Sequence, residues 1–437
     1  LPEVRQARGD RRYQLFLLDV SDFAPARCAG PRRVRLSYYG DEELKPGQQG
    51  QFSALLRVPW GLVNPGSDGM ESWYAANRIH AVGSVRRLVI DSSSVPLRYR
   101  HHQARAALIR TMDELPGTAR ARGLLVALTV GVRHRLAADD WALLRQLGIL
   151  HLAVISGLHV SLAGAGGAFL GKSIARGAAL AGGGALWRQL PGLLTLLFAT
   201  LYAALAGFSL PTVRALLMLA AVVLALSMKR DPTSPRTLLL AAFALVCLQP
   251  LATVSSGFWL SVAAVGALLW CTGGQPPGPR VAAALRGHAY LCGAMLPLTG
   301  WWFGAGSLVA PLANAIAVPL VGLFVIPATL LASVANSVSA ALAQWLWQWP
   351  LALLGLLLQW ADWLSASTAM IAYRPLGGGL YALANALLAA VCWRYPCRYF
   401  CALRRPLCYC RCCCGCPPRL SPVRSWRFWM SARVPRW

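Results

Sequence analysis

The run His151-Leu-Ala-Val-Ile-Ser-Gly-Leu-His-Val160 places two histidines and a serine inside an otherwise apolar stretch. A polar side chain in such surroundings is costly unless it meets a partner or faces a cavity. Read as one continuous helix at about 100° per residue, His159 falls about 80° around from His151, and Ser156 about 140°. All three then share one polar sector, and Gly157 permits close backbone approach or a break. Composition leaves two roles open: satisfied interhelical hydrogen bonds that hold a bundle together, or the lining of a polar path.

The surroundings of this run are those of a membrane protein. Of 437 residues, 56% are hydrophobic and 13% charged, with a mean hydropathy of +0.49; a soluble globular chain carries about 25% charged residues. Apolar stretches of about 20 residues recur from position 149 onward, as membrane-crossing helices require. Spans are expected near 149–170, 190–207, 212–228, 237–252, 254–271, 287–303, 306–332 and 341–364, with a partial one at 378–392. Pro311, Pro319 and Pro327 divide the 306–332 stretch, which reads as two short or re-entrant segments.

Loop charges orient these spans. Lys172, Arg176 and Arg188 follow the first, Lys229, Arg230 and Arg236 the third, and Arg280 and Arg286 the fifth. The positive-inside rule puts those loops in the cytoplasm and residues 1–145 in the periplasm. Arg133, Arg135 and Arg145, just before the first span, run against this orientation; long domains translocate largely regardless of charge. The net charge of +26, from 42 Lys+Arg against 16 Asp+Glu, arises in part from such loops and from an Arg-rich tail. It also suits a polyanionic partner.

Residues 1–95 are of mixed composition. Tyr13–Val20, Arg33–Tyr38 and Gln51–Arg57 alternate as strands do, with Lys45-Pro-Gly-Gln as turn chemistry between them. Several short strands in this length read as a small barrel or sandwich. Residues 96–145 read as a basic linker with amphipathic helices, carrying Arg98, Arg100, Arg105, Arg110, Arg120 and Arg122. Arg214 stands at the start of the third span, where a charge needs either the interface, reached by snorkelling, or an aqueous path. Gly167 and Gly171 form a small-xxx-small pair for helix packing.

Taken together, these segments resemble the ComEC competence family. The run at 151–160 is similar to the family's HLLAISGLHV signature, with Ala153-Val154 at the two varied positions. In the family's order come Gly123–Gly131, Tyr202-Ala-Ala-Leu-Ala-Gly-Phe208 with Arg214-Ala-Leu-Leu-Met218, Gly257-Phe-Trp-Leu-Ser261, and Pro311-Leu-Ala-Asn314 with Pro319 and Pro327. Lys45-Pro-Gly, Asn64-Pro-Gly66 and Trp73–Gly83 resemble the family's N-terminal OB-like domain. The resemblance implies a polytopic α-helical membrane protein of about eight or nine spans behind a small OB-like β domain. The implied division is a periplasmic OB-like domain at 1–95, the linker at 96–145 and a competence transmembrane domain at 146–391.

The function implied is passage of single-stranded DNA through the bacterial inner membrane during natural transformation. His151, Ser156, Gly157, His159, Gly207, Arg214, Asn314 and Pro319 are the candidates for the DNA path. The implied partners are single-stranded DNA, membrane lipid, a periplasmic DNA-binding protein and a cytoplasmic helicase, with self-association open. Two rivals remain: a small-molecule secondary transporter, for which no internal repeat is seen, and an intramembrane hydrolase built on Ser156 and His159, for which no positioned acid is seen.

The family's metallo-β-lactamase-like domain carries an HxHxDH motif, and this sequence contains no HxH pair. No catalytic residue, metal or cofactor is therefore expected, and no nuclease activity. Nine of the 13 cysteines lie between Cys392 and Cys416, without the paired spacing of a zinc site. CTG leucine codons read one base out become TGC, which encodes cysteine. Residues 392–437 are thus expected to be a frameshifted or disordered tail, and the start at Leu1 suggests missing upstream residues.

Overall fold

The computed structural model describes residues 3–6, 12–22, 30–40, 42, 44–61, 70–91, 99–180, 185–272, 280–303, 305–368 and 373–375. The partial span expected at 378–392 and the cysteine-rich tail lie outside these residues.

The chain begins with strands β1 (Glu3–Gln6), β2 (Arg12–Asp19), β3 (Arg33–Tyr38) and β4 (Gln49–Arg57), then helix α1 (Met70–Ala76) and strand β5 (Ala81–Asp91). They form one sheet in the order β1-β2-β3-β5-β4. The β3–β5 pair is parallel and the others antiparallel. Alternation explains the buried face: Val34 and Leu36 point inward with Ala81 and pack against Phe16, Leu18, Phe52, Ala54 and Val85. Five strands with one crossover match the partly open barrel of an OB-like domain; among the described residues no β1–β4 ladder closes it. The alternating runs read from the sequence are β2, β3 and β4. The fifth strand has no such alternation, because Arg86 and Arg87 interrupt it.

Helices α2 (Arg100–Asp113), α3 (Ala119–Val130) and α4 (Ala138–Gln146) follow. Thr118 caps α3 by accepting the Ala121 N–H at 3.2 Å, and Gly131, at φ 77°, ends it. Every residue from Gly123 to Val130 is buried, so α3 is a core helix too short to cross a bilayer.

Then come α5 (Gly157–Leu180), α6 (Leu190–Leu205), α7 (Leu210–Ser227), α8 (Pro235–Leu248), α9 (Ser256–Thr272) and α10 (Arg280–Phe303). After strand β6 (Ala305–Ser307) follow α11 (Ala310–Pro319), α12 (Ile326–Ala335) and α13 (Ala340–Thr368), and β7 (Tyr373–Pro375) pairs back on β6. The largest apolar core joins α2, α3 and α4 to α11, α12 and α13.

Among the described residues three helices are long and apolar enough to cross a membrane: Leu210–Ser227, Ala310–Ala335 and Ala340–Thr368. Shorter apolar helices cover Leu190–Leu205, Pro235–Leu248 and Ser256–Trp270. Exposed Trp345, Trp349, Leu356 and Trp363 give α13 an apolar outer face, as lipid contact requires. The expectation of two short segments at 306–332 is corrected: 310–335 is one continuous helical run. A π-turn at Leu320–Val325 follows Pro319 and absorbs the hydrogen-bond slippage that a missing proline N–H forces.

Candidate functional site

Helix α5 starts at Gly157, so the continuous-helix reading of 151–160 is corrected. Leu150–Leu152 form a 3-10 turn, and non-helical backbone separates them from α5. His151 is exposed and hydrogen-bonds to the backbone of Gly148. Ser156 precedes the first helical residue, and its backbone N–H donates to His159 Nδ1 at 3.2 Å. This is the reach of a third helical residue back to the cap residue, which a Glu or Gln commonly makes. Asp140 makes the same contact to the Ala137 N–H at the start of α4, at 3.2 Å.

The consequence for His159 is chemical. A ring nitrogen that accepts an N–H carries no proton, so the neutral ring holds its hydrogen on Nε2. His159 is 0% exposed, and Nε2 has no hydrogen-bond partner among the described residues. A buried donor is thus presented without an acceptor. Because Nδ1 takes the Ser156 backbone and not its hydroxyl, the pair does not form the base–nucleophile contact that a hydrolase needs.

Arg214 lies in the second turn of α7 and is 8% exposed. Its guanidinium lies against the first turn of α9: a Cβ on Gly257 would meet Nη2 at 2.9 Å and Nη1 at 3.3 Å. Nε is buried without a partner, and no carboxylate pairs with the side chain among the described residues. Ser255 caps α9 by accepting the Phe258 N–H at 3.3 Å. Gly157 in turn lies against Ala215, with 3.7 Å between the Ala215 Cβ and a Cβ built on the glycine. The start of α9 therefore packs on Arg214, and the start of α5 on the neighbouring Ala215.

Gly207 belongs to the turn between α6 and α7, at φ 72°, and the guanidinium of Arg105 packs against it where a Cβ would stand. Arg105 donates from Nη2 to the Val130 carbonyl at 2.8 Å and approaches His102 Nδ1 with Nη1 at 3.2 Å. Burial lowers its pKa to about 10. Burial, then the charges of His101 and Arg105, lower that of His102 to about 3. Tyr202 donates to the Leu128 carbonyl at 2.8 Å and ties α6 to α3. Tyr202 and Gly207 of the Tyr202–Phe208 motif thus fasten the α6–α7 turn to α3 and α2.

Asn314 Nδ2 donates to the Ala310 and Gly148 carbonyls at 2.9 and 3.3 Å, while Oδ1 is buried and unpaired. Ser307, whose Oγ is also unpaired, lies against the same Gly148 turn. Gly148 thereby links Asn314 to His151. Pro319 is exposed at the π-turn, apart from this group. Ser307 and Gly148 escaped the sequence reading, which named Arg105 and Gly257 without giving either a role in a site. Arg105 was one of six linker arginines, and nothing in its neighbours marks it as the buried one.

The family model described as "Competence protein" matches residues 128–396. The chain is 34% identical over 305 residues to "Competence protein ComA" of Neisseria gonorrhoeae, covering 68% of this chain and 43% of that protein. It is 30% identical over 322 residues to "Recombination protein 2" of Haemophilus influenzae, covering 70% and 39%. A 28% match over 325 residues to "Uncharacterized protein YcaI" of Escherichia coli covers 72% and 42%. The chain spans about two fifths of the length of these curated relatives. No solved structure matches it.

Proposed function

The chain belongs to the ComEC family of competence proteins, and from this premise we propose that its helical domain carries a single DNA strand across the bacterial inner membrane during natural transformation. Relatives carrying the names of competence and recombination proteins support a role in DNA uptake. The observation that bears most weight is Arg214. A guanidinium whose Nε is buried without a partner among the described residues, in a residue 8% exposed, is costly, and its place near the positive ends of two helices raises that cost. A chain tolerates this where an anion arrives.

Eight or so spans with loops after the odd ones in the cytoplasm would turn the N-termini of α5, α7 and α9 outward. Helix α1 of the β domain packs against the turn Pro250–Val254, which leads into α9, so a periplasmic β domain would meet the incoming strand at that end. His151, Ser156, His159, Arg214 and Asn314 would line or shape the path, with Gly157 and Gly207 admitting close backbone approach. We read the chain as a conduit and not an enzyme. A periplasmic DNA-binding protein would feed it and a cytoplasmic helicase would draw the strand inward.

Deleting the gene in a transformable strain is expected to abolish transformants while surface binding of DNA persists. Normal transformant numbers after deletion would reject the conduit. Arg214→Ala is expected to reduce DNA import with unchanged membrane insertion; full import by a well-inserted variant would make Arg214 a packing residue only.

A further inference from the structure

We infer that the β domain carries a lipid-docking tip, Val58-Pro-Trp60, seated in the interfacial layer of the bilayer beside the turn Pro250–Val254. The inference goes beyond the strand-conduit reading and holds whatever the helical domain carries. Strand β4 lies at the edge of the sheet, and the chain leaves it through an apolar run. Leu55, Leu56, Val58 and Trp60 are exposed there, Trp60 to 77%. The Trp60 N–H donates to the Val58 carbonyl at 2.9 Å across Pro59, a three-residue turn that the fixed φ of proline suits. The two apolar side chains thus stand on a stiff turn, which lowers the entropy lost when they dock. Among the described residues no aromatic or cationic side chain packs on the Trp60 ring, whereas Trp73 of α1 holds the Arg35 guanidinium 5.0 Å from its ring centre. Exposed apolar groups clustered on an edge strand mark an interaction surface.

The place of the tip in the fold names its partner. Gly61 follows it and lies against the start of α1: its N–H donates to Glu71 Oε1 at 3.4 Å, and a Cβ on Gly61 would stand 3.0 Å from the Met70 Cβ. Helix α1, seven residues and about 10 Å long, runs from that contact and packs on the turn Pro250–Val254. The turn joins two apolar helices, α8 and α9, and has the character of a membrane boundary. Leu251, Val254 and Trp259 are exposed, and the Trp259 Nε1–H donates to the Thr253 carbonyl at 2.8 Å. An indole with its polar edge satisfied by backbone and its ring outward suits the bilayer interface. Leu239, Leu240, Phe243 and Leu248 continue the exposed apolar surface along α8. One short helix therefore separates the tip from the end of a helix pair that meets lipid. Exposed Arg57 beside the tip suits a lipid phosphate at the same level. A nucleic-acid strand fits worse, since the aliphatic Leu55, Leu56 and Val58 offer a base no stacking face.

The test is fluorine NMR of the full chain, labelled with fluorotryptophan, in nanodiscs of phosphatidylcholine with phosphatidylglycerol. The line missing from Trp60→Phe is that of Trp60, and Trp259→Phe identifies a reference at the membrane boundary. A nitroxide on the lipid acyl chain close to the headgroup should broaden the Trp60 and Trp259 lines together. A soluble gadolinium chelate should spare Trp60. Val58→Asp, a change at an exposed position, should lift the tip and reverse the pattern, so that the chelate broadens the Trp60 line and the lipid nitroxide does not.

Broadening of Trp60 by the chelate alone would place the tip in water and overturn the docking, whatever Trp259 does. A Trp60 line untouched by both agents would mean that protein covers it, with the same consequence. Lipid broadening that persists in Val58→Asp would remove Val58 from the contact and with it the two-residue tip. A Trp60 line that oligothymidylate shifts while the lipid effect disappears would give the tip to the strand and overturn its assignment to lipid. None of these readouts measures import, so the docking can fail while the conduit stands, and normal transformation after deletion would remove the conduit alone.

Discussion

At the scale of single residues, Gly207 shows how a backbone conformation and a charge depend on each other. Its φ of 72° is open to glycine at little cost, and the vacant Cβ position holds the Arg105 guanidinium. Gly207→Ala is expected to lose about 2 kcal/mol, from backbone strain and displacement of Arg105, read as a lowered thermal midpoint in detergent. His102 makes a pH-dependent prediction. Its folded pKa of about 3 lies below its ordinary 6.5, chiefly through burial. The unfolded chain therefore binds a proton that the folded chain refuses, so stability is full above about pH 6.5 and falls as pH drops toward 3. His102→Gln should flatten the thermal midpoint over that window; an unchanged slope would show that His102 titrates freely.

At the scale of elements, the α5–α6 contact is set by small residues. A Cβ on Gly171 would stand 2.6 Å from Pro191 Cα, and one on Gly167 would strike the Leu194 carbonyl. The spacing of four keeps both on one face, as close helix packing requires. Gly171→Val should push α6 away and, through α6, disturb the turn that carries Gly207. Loss of monodisperse protein on size exclusion, against a native-like Gly177→Ala control, is the expected outcome; a Cβ on Gly177 meets nothing within 4 Å. Native behaviour of Gly171→Val would show that α6 has room to move.

At the scale of the whole molecule, Arg120 joins three distant pieces of chain. From α3 it holds Asp140 of α4 at 2.5 Å and grips Asp362 of α13 with both terminal nitrogens, at 2.8 and 3.2 Å. The Asp140 side chain is 4% exposed, whereas those of Arg120 and Asp362 are about half-exposed. The Asp362 contact is therefore screened and contributes little, and the Asp140 contact matters more. Arg120→Ala would leave a buried carboxylate with the Ala137 N–H as its remaining partner among the described residues, at a cost of about 2 kcal/mol. Asp140→Asn in the Arg120→Ala background should recover part of the lost thermal stability. No recovery would place the damage at Asp362 or in lost packing of the arginine stem.

The sequence by itself determined the class of the molecule and the family to which it belongs. Alternating runs mark β2, β3 and β4 because a half-buried sheet imposes period two, and long apolar runs mark helices that meet lipid because backbone polar groups must be satisfied within the segment. It also singled out His159 and Arg214, since polar groups in apolar runs stand out whatever they touch, and Asn314 through the motif it shares with the family. Only the tertiary structure decided what these groups lack. That the His159 proton belongs on Nε2 follows from a 3.2 Å contact with Ser156, and the break before α5 puts His151 outside the helix to which periodicity assigned it. That Arg214 lies against Gly257, 43 positions away in the chain, depends on two helix ends meeting. Nor does local composition tell Arg105 from five neighbouring arginines, because burial and vacant hydrogen-bonding capacity are set by what packs around a residue and not by its neighbours in sequence.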